Sequence, residues 1–176
     1  ANACTLLPML LNEGFCEIGY QIGTGVGLHM ERLLQAVQLE KLYGVDDYQR
    51  GIYQGIPFNL EEQEKLYEYV QKRIEWLRLN VEFIRLNSKE AAKQVKEQTV
   101  DFIFFNSEYD ITPIKENLDI WFPKVRTGGI LAGYQRGTFY PSLENGIRQF
   151  FALKRLEVHQ EFVEPRFWWV ELKKSM

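Results

Sequence analysis

The sequence predicts one α/β domain over residues 1–176: a mainly parallel seven-stranded sheet with helices on both faces and an antiparallel hairpin at its C-terminal end. Three observations carry this reading. Short apolar runs alternate with stretches whose apolar residues recur at helical spacing. The run from Val100 to Phe105 is apolar on both faces, as a central parallel strand must be. The last two runs are separated by about three residues, too few for a helical crossover, so they must be antiparallel.

Phe15 to Tyr20 reads as the first buried strand. Gly25 to Leu39 follows as a helix, with Leu28, Leu33, Leu34 and Val37 on one stripe. Lys41 to Asp46 is the second strand. Tyr48 to Asn59 carries Gly51, Gly55 and Pro57 and reads as a loop. Its aromatics Tyr48, Tyr53 and Phe58 suit either a lid against a planar acceptor or a small local core. Leu60 to Leu79 is a long charged helix striped with Leu66, Tyr69, Val70, Ile74 and Leu77. Its acidic start, Glu61 to Lys65, is a solvated helix N-terminus. Val81 to Leu86 is the third strand, and Ser88 caps a helix to about Gln98. After the fourth strand, Thr112 to Phe122 is helical, Gly129 to Tyr134 is the fifth strand and Ser142 to Leu153 is helical. Leu156 to Val163 and Phe167 to Leu172 close the sheet around Glu164 and Pro165. The expected order is 3-2-1-4-5-7-6.

Composition narrows the function. The formal net charge is −3 and the pI about 5.6, whereas affinity built on phosphate contacts calls for a basic surface, so nucleic acid is not an expected partner. No apolar stretch reaches a membrane-spanning length, and residues 1–13 lack a signal-peptide pattern, so no membrane partner and a cytoplasmic setting are expected. The chain begins with Ala, as in a processed chain or an excised domain. Cys4 and Cys16 are expected to be reduced, with Cys16 in the core. His29 and His159 stand far apart and make no zinc signature.

Open sheets of this kind bind ligands outside the carboxyl ends of their strands. The richest such segment runs from Glu17 through Gly19, Tyr20, Gly23 and Gly25 to Gly27. Glycines there let a ligand approach the backbone, and the following helix turns its N-terminal amides toward it. Asp46 ends the second strand and can accept from ribose hydroxyls. The plain alternative is an ordinary βα turn beside an exposed Asp. A nucleoside-containing ligand explains both features together.

At this point the sequence resembles the class I S-adenosylmethionine-dependent methyltransferases, within them the small O-methyltransferase-like group. The likeness covers the segment from Glu17 to Gly25, that from Leu42 to Tyr48, that from Arg85 to Ala92, the strand Val100–Phe105, the approach Trp121–Gly133 and the terminal hairpin. It implies a Rossmann-like methyltransferase fold and S-adenosylmethionine lying over Gly19, Tyr20, Gly23 and Gly25. Glu17 would meet the methionine end, Asp46 the ribose, and Asp47 with Asn87 and Ser88 the adenine. It also implies a small-molecule or glycan hydroxyl as acceptor, with a homodimer left open.

Departures fall where chemistry would occur. The resemblance leads one to expect an acid at 106, a His at 109 and a Gly-His-Asp run at 133–135. This chain has Asn106, Tyr109 and Gly133-Tyr134-Gln135. Amides and a phenol are poor ligands for a divalent ion, so no metal site is expected. Asn106 and Glu108 are the candidate catalytic residues, with Glu108 or Asp110 as bases, although solvated loop carboxylates are the slightly favoured account of the latter two. His29 could approach the ligand but reads first as a partly buried or surface residue, His159 reads as structural, and Trp168–Trp169 read as packing of the terminal hairpin ahead of a partner surface. Two other readings stay open: a methyltransferase fold that binds a nucleoside or a protein partner without catalysis, and a nicotinamide oxidoreductase, which the glycine spacing disfavours. No nucleophile elbow or P-loop is present.

Overall fold

The computed structural model describes residues 3–49, 52–53, 56–57, 59–77, 80–106, 114–135, 141–161 and 166–173. The main sheet comprises β1 (Ile18–Ile22), β2 (Lys41–Val45), β5 (Val81–Ile84), β6 (Val100–Asn106), β7 (Val125–Gln135), β8 (His159–Glu161) and β9 (Arg166–Glu171). Their order is β5-β2-β1-β6-β7-β9-β8, the order expected from the sequence. β1 pairs in parallel with β2 and β6, and β9 runs antiparallel to both β7 and β8. Two short strands, β3 (Ile52–Tyr53) and β4 (Ile56–Pro57), pair antiparallel within the segment read as a loop.

Each face of the sheet carries its own core. One packs α1 (Ala3–Glu13), α2 (Leu28–Ala36) and α3 (Leu60–Glu75) on Phe102 and Phe104, through Leu11, Met30, Leu33 and Val70. The other packs α4 (Ser88–Ala92), α5 (Ile114–Trp121) and α6 (Pro141–Leu153) on Ile103 and Phe105, through Ala91, Leu118, Trp121 and Phe151. The period of two along β6 thus feeds both layers. Trp168 joins the second core beside Phe105 and Phe151, while Trp169 stacks on His159 and Phe167. Asn59 caps α3, accepting from the Glu62 amide while the Glu62 carboxylate accepts from the Asn59 amide.

Several boundaries differ from the sequence reading. α1 was not foreseen. β7 extends eleven residues from Val125 to Gln135, starting four residues before the Gly129 start read from the sequence. Asn87, not Ser88, is the N-cap of α4, and its side chain accepts from the Glu90 amide at 2.9 Å. The most consequential shift is in β1. Residues 15–17 precede it, and Phe15 is exposed with a left-handed backbone (φ 50°). Gly19 and Tyr20 lie inside the strand, paired with β2 and β6. Gly19 is required by packing, because a Cβ there would stand 2.1 Å from the Phe102 ring.

The amino edge of the sheet is held by Asp101. Its Oδ2 accepts from the amides of Glu17 and Ile18, both at 2.8 Å. Its Oδ1 meets Arg126 Nε at 2.5 Å, and Arg126 Nη2 donates to the Gly14 carbonyl at 3.1 Å. Burial pushes the Asp101 carboxyl up, but the Arg126 guanidinium and the two amides outweigh it and hold the carboxyl below its usual value. Among the described residues no helix is long and apolar enough to cross a membrane.

Two glycines give opposite expectations. Gly19→Ala forces the Phe102 ring aside and should cost about 1–3 kcal/mol. Gly146→Ala in α6 meets nothing within 4 Å and should gain about 0.5–1 kcal/mol from helix propensity. Thermal melting of both variants checks the placement. A Gly19→Ala protein as stable as the parent contradicts the position of β1.

Candidate functional site

The register of β1 against β2 brings Ile22 beside Val45, so the segment after β1 and Asp46 emerge together at the carboxyl edge. Gly23, Gly25 and Gly27 all have positive φ (86°, 49° and 80°), which turns the chain sharply from β1 into α2. The Gly23 amide continues the ladder to the Val45 carbonyl at 2.8 Å. Asp46 Oδ2 then accepts from the amides of Thr24 (3.1 Å) and Gly25 (3.2 Å), and Oδ1 accepts from the Tyr48 amide at 3.0 Å. Tyr48 is buried, and its hydroxyl donates to the Gly25 carbonyl at 3.1 Å while also contacting the Thr24 hydroxyl. Its ring packs on Tyr67 of α3. The glycine turn is therefore tied to β2 by a carboxylate and to α3 by a phenol.

Burial raises the Asp46 carboxyl from 3.8 to about 6, against the lowering effect of the amides of Tyr48, Gly25 and Thr24; the Asp47 charge adds to the rise. A carboxylate offers about four lone-pair positions, and three are taken, so Asp46 keeps room for about one further donor.

Two buried side chains at the same edge hold unpaired acceptors. Gln21 is fully buried in β1; its Nε2 donates to the Gly23 carbonyl at 3.2 Å and its Oε1 has no partner. Asn106 ends β6, is 1% exposed, and its Oδ1 has no partner. Gln21 pairs in register with Phe104, and Asn106 lies two residues beyond on the same face, about 6.6 Å along the strand. Buried acceptors left empty are costly, on the order of 1–3 kcal/mol each, which marks a place where a donor is expected to arrive.

The candidate residues read from the sequence are only partly brought together. Gly23, Gly25, Asp46 and Asn106 share the carboxyl edge. Glu17 stands at the amino edge, about 20 Å of extended chain from Gly23, with its amide on Asp101. Gly19 lies within β1, and Tyr20 stacks on Tyr43 with centroids 4.5 Å apart. Burial, with Tyr43 and Glu82 nearby, pushes the Tyr20 hydroxyl up to about 12. Asp47 accepts from the Gln49 amide, Asn87 caps α4 and Ser88 donates to buried Asn117 at 2.6 Å. Glu108, Tyr109 and Asp110 lie outside the described residues, as do the side chains of Tyr134 and Gln135. Among the described residues no three His, Cys, Asp or Glu side chains gather as metal ligands. Sequence reasoning missed Gln21; the spacing Gln21-x-Gly23-x-Gly25-x-Gly27, counted back from the glycines, was the available signal.

Residues 17–133 match a family model described as a methyltransferase domain. No curated protein matches the chain in sequence. Among solved structures it is similar to a Corynebacterium glutamicum protein, at 12% identity and TM-score 0.69, over 98% of this chain and 81% of that one. It is similar to the O-methyltransferase TomG from Streptomyces achromogenes, involved in tomaymycin synthesis and solved in complex with SAM. That match has 14% identity and TM-score 0.68, over 97% of this chain and 79% of that one. A Geobacter sulfurreducens methyltransferase matches at 12% identity and TM-score 0.68, over 97% and 78% of the two chains. At such identities the structures share the fold. Family and fold agree with the sequence-based expectation of a class I methyltransferase whose cofactor is S-adenosylmethionine.

The raised Asp46 carboxyl has a signed consequence for stability. The native state holds this proton more tightly than an unfolded chain between about pH 4 and pH 6, so Asp46's contribution falls as pH rises through that window. Between pH 4 and pH 7 the parent should lose about 2 kcal/mol more than Asp46→Asn. Urea unfolding at the two pH values measures the difference, and equal losses refute the burial of this carboxyl.

Proposed function

This chain belongs to the methyltransferase-domain family, and we propose that it transfers the methyl group of S-adenosylmethionine to a hydroxyl of a small molecule or glycan. The observation that carries the reading is the juxtaposition of the clasped glycine turn Gly23–Gly27 with the empty acceptors of Gln21 and Asn106.

The residues fit the cofactor. The turn gives backbone access, the remaining lone pair of Asp46 takes one ribose hydroxyl, and the Gln21 oxygen takes a donor such as the methionine ammonium. Asp47 and the Asn87-Ser88 turn border the adenine in this reading. Their local hydrogen bonds leave Asn87 Nδ2 and the faces of the backbone for it. When bound, the sulfonium supplies an already activated methyl group. The chain's own task is then to orient the acceptor, and alignment alone lowers the barrier by several kcal/mol. Asn106 Oδ1 holds an acceptor hydroxyl, a role open to an amide, which orients a proton but does not remove it.

One observation favours a second reading. Asp46 already serves three amides and Asn106 stands where the resemblance implies an acid, which suits a nucleoside-binding protein without catalysis. Binding and transfer separate the two.

S-adenosylhomocysteine should raise the melting temperature and give a one-to-one calorimetric isotherm. Asp46→Ala removes a charge-assisted acceptor and frees the turn, so it should weaken binding by about 1.5–3 kcal/mol. Gly23→Val places a branched side chain at φ 86° and should abolish binding while circular dichroism stays native. Parent-like affinity in both variants rejects the site. Binding without methyl transfer to a panel of sugar and phenol hydroxyls moves the non-catalytic reading ahead.

A further inference from the structure

The main sheet ends at β5, which is its outermost strand and pairs only with β2. The Leu42 amide donates to the Asn80 carbonyl at 2.9 Å, and the Asp46 amide donates to the Ile84 carbonyl at 3.1 Å. Alternate residues of a strand bond to the same side. The main-chain amides and carbonyls of Val81 and Phe83 therefore point away from β2, to the outside of the sheet. An edge of this kind is a template for another strand.

A groove of about 510 Å³ lies along this edge, between β5 and α3. Val81, Phe83 and Ile74 give it an apolar floor, and Phe83 meets the Tyr67 ring of α3 edge-on at 6.0 Å. Glu68, Lys72 and Glu75 of α3 give it an exposed polar wall. Glu68 and Glu75 are two helical turns apart, about 10 Å along the axis. Among the described residues the ion pairs of α3 are Glu61–Lys65, Glu64–Arg85 and Arg73–Glu31, which leaves the wall residues outside them. The wall thus carries two carboxylates against one ammonium.

These features select one occupant. A free strand edge takes an extended backbone. An acidic wall above an apolar floor takes basic side chains, whose methylene stems cover the floor. Side chains of a strand alternate between faces, so every second residue of the guest turns toward α3. A second copy of this chain fits poorly. A twofold axis joining two such edges would bring the same acidic wall against its own counterpart, like charge facing like.

We propose that the outer edge of β5 docks an extended basic segment of a partner protein, which adds as a strand beside Val81 and Phe83 and sets lysine or arginine against Glu68 and Glu75. The guest's amides donate to the Val81 and Phe83 carbonyls, and its carbonyls accept from the amides of the same two residues. The groove does not include the turn Gly23–Gly27, so the docking is independent of the methyl transfer proposed above.

Protein labelled with nitrogen-15 is titrated with a capped seven-residue peptide that alternates lysine with valine. The comparison peptides carry glutamate in place of lysine, or N-methyl groups on alternate residues in either phase. The lysine peptide should bind one-to-one and shift the amide resonances of Val81 and Phe83 most. The glutamate peptide should not bind. Glu68→Gln combined with Glu75→Gln should weaken the lysine peptide about fivefold, as expected for two exposed charge pairs. N-methylation in the phase that faces the edge should weaken it about tenfold or more, because two main-chain donors are lost. Val81→Pro removes an outward amide at the first residue of an edge strand, where proline is tolerated, and should weaken binding while circular dichroism stays native. The glutamine variants lie on the exposed face of α3 and decide the matter if proline disturbs the strand. Unshifted Val81 and Phe83 amides at millimolar lysine peptide overturn the proposal. So does equal affinity for the lysine and glutamate peptides, or undiminished binding of both N-methylated forms, which marks charge attraction without an added strand. Dimerisation of the parent that Val81→Pro abolishes assigns the edge to a second copy and overturns it as well.

Discussion

The carboxylate of Asp46 is the interaction on which the functional edge depends. Three glycines with positive φ would leave the β1–α2 turn loosely specified, because glycine keeps more conformational freedom than any other residue. Asp46 removes that freedom by accepting the Thr24 and Gly25 amides on one oxygen and the Tyr48 amide on the other. The cost is a buried charge whose proton affinity rises to about 6. The clasp works only because β1 and β2 end in step. At the opposite edge Asp101 of β6 holds the amides that lead into β1, and the Glu17 carbonyl accepts from the amides of Glu40 and Lys41 at the start of β2. Two carboxylates, one at each edge, thus fix where the glycine turn sits.

A consequence is that the site is built largely from neutral groups. Gln21 and Asn106 offer carbonyl oxygens without charge, and the described residues gather no cluster of metal-ligating side chains. Neutral groups of this kind suit recognition by hydrogen-bond geometry rather than by charge. Unpaired amide oxygens discriminate well, because a ligand that lacks the matching donor leaves them empty.

Much of the fold was legible because it follows from periodicity. The doubly apolar run Val100–Phe105 declared a central strand, and the short gap before Phe167 forced an antiparallel end. α1 was not legible: it contains Pro8, no acidic residue lies in its first turn and no basic residue in its last. The first strand was read as Phe15 to Tyr20, three residues early at its start and two short at its end; Gly19, counted as well with the ligand-binding segment, is a packing glycine. Its cause is the Phe102 ring, a partner 83 residues away that no local pattern reveals. That single shift hid Gln21 and promoted Glu17. Asp46 was legible as a candidate from its place at the end of the second strand. Its engagement with the turn depends on backbone geometry that only the folded chain supplies.

The central claim is that the clasped turn at Gly23–Gly27 is the cofactor cradle. A crystal structure of the parent chain with S-adenosylhomocysteine tests it most directly. The account predicts the nucleoside against that turn, a ribose hydroxyl on Asp46 and the amino-acid end near Gln21. A ligand seated around Glu17 and Gly19 at the start of β1, or on the turn with Asp46 and Gln21 both uncontacted, would contradict it.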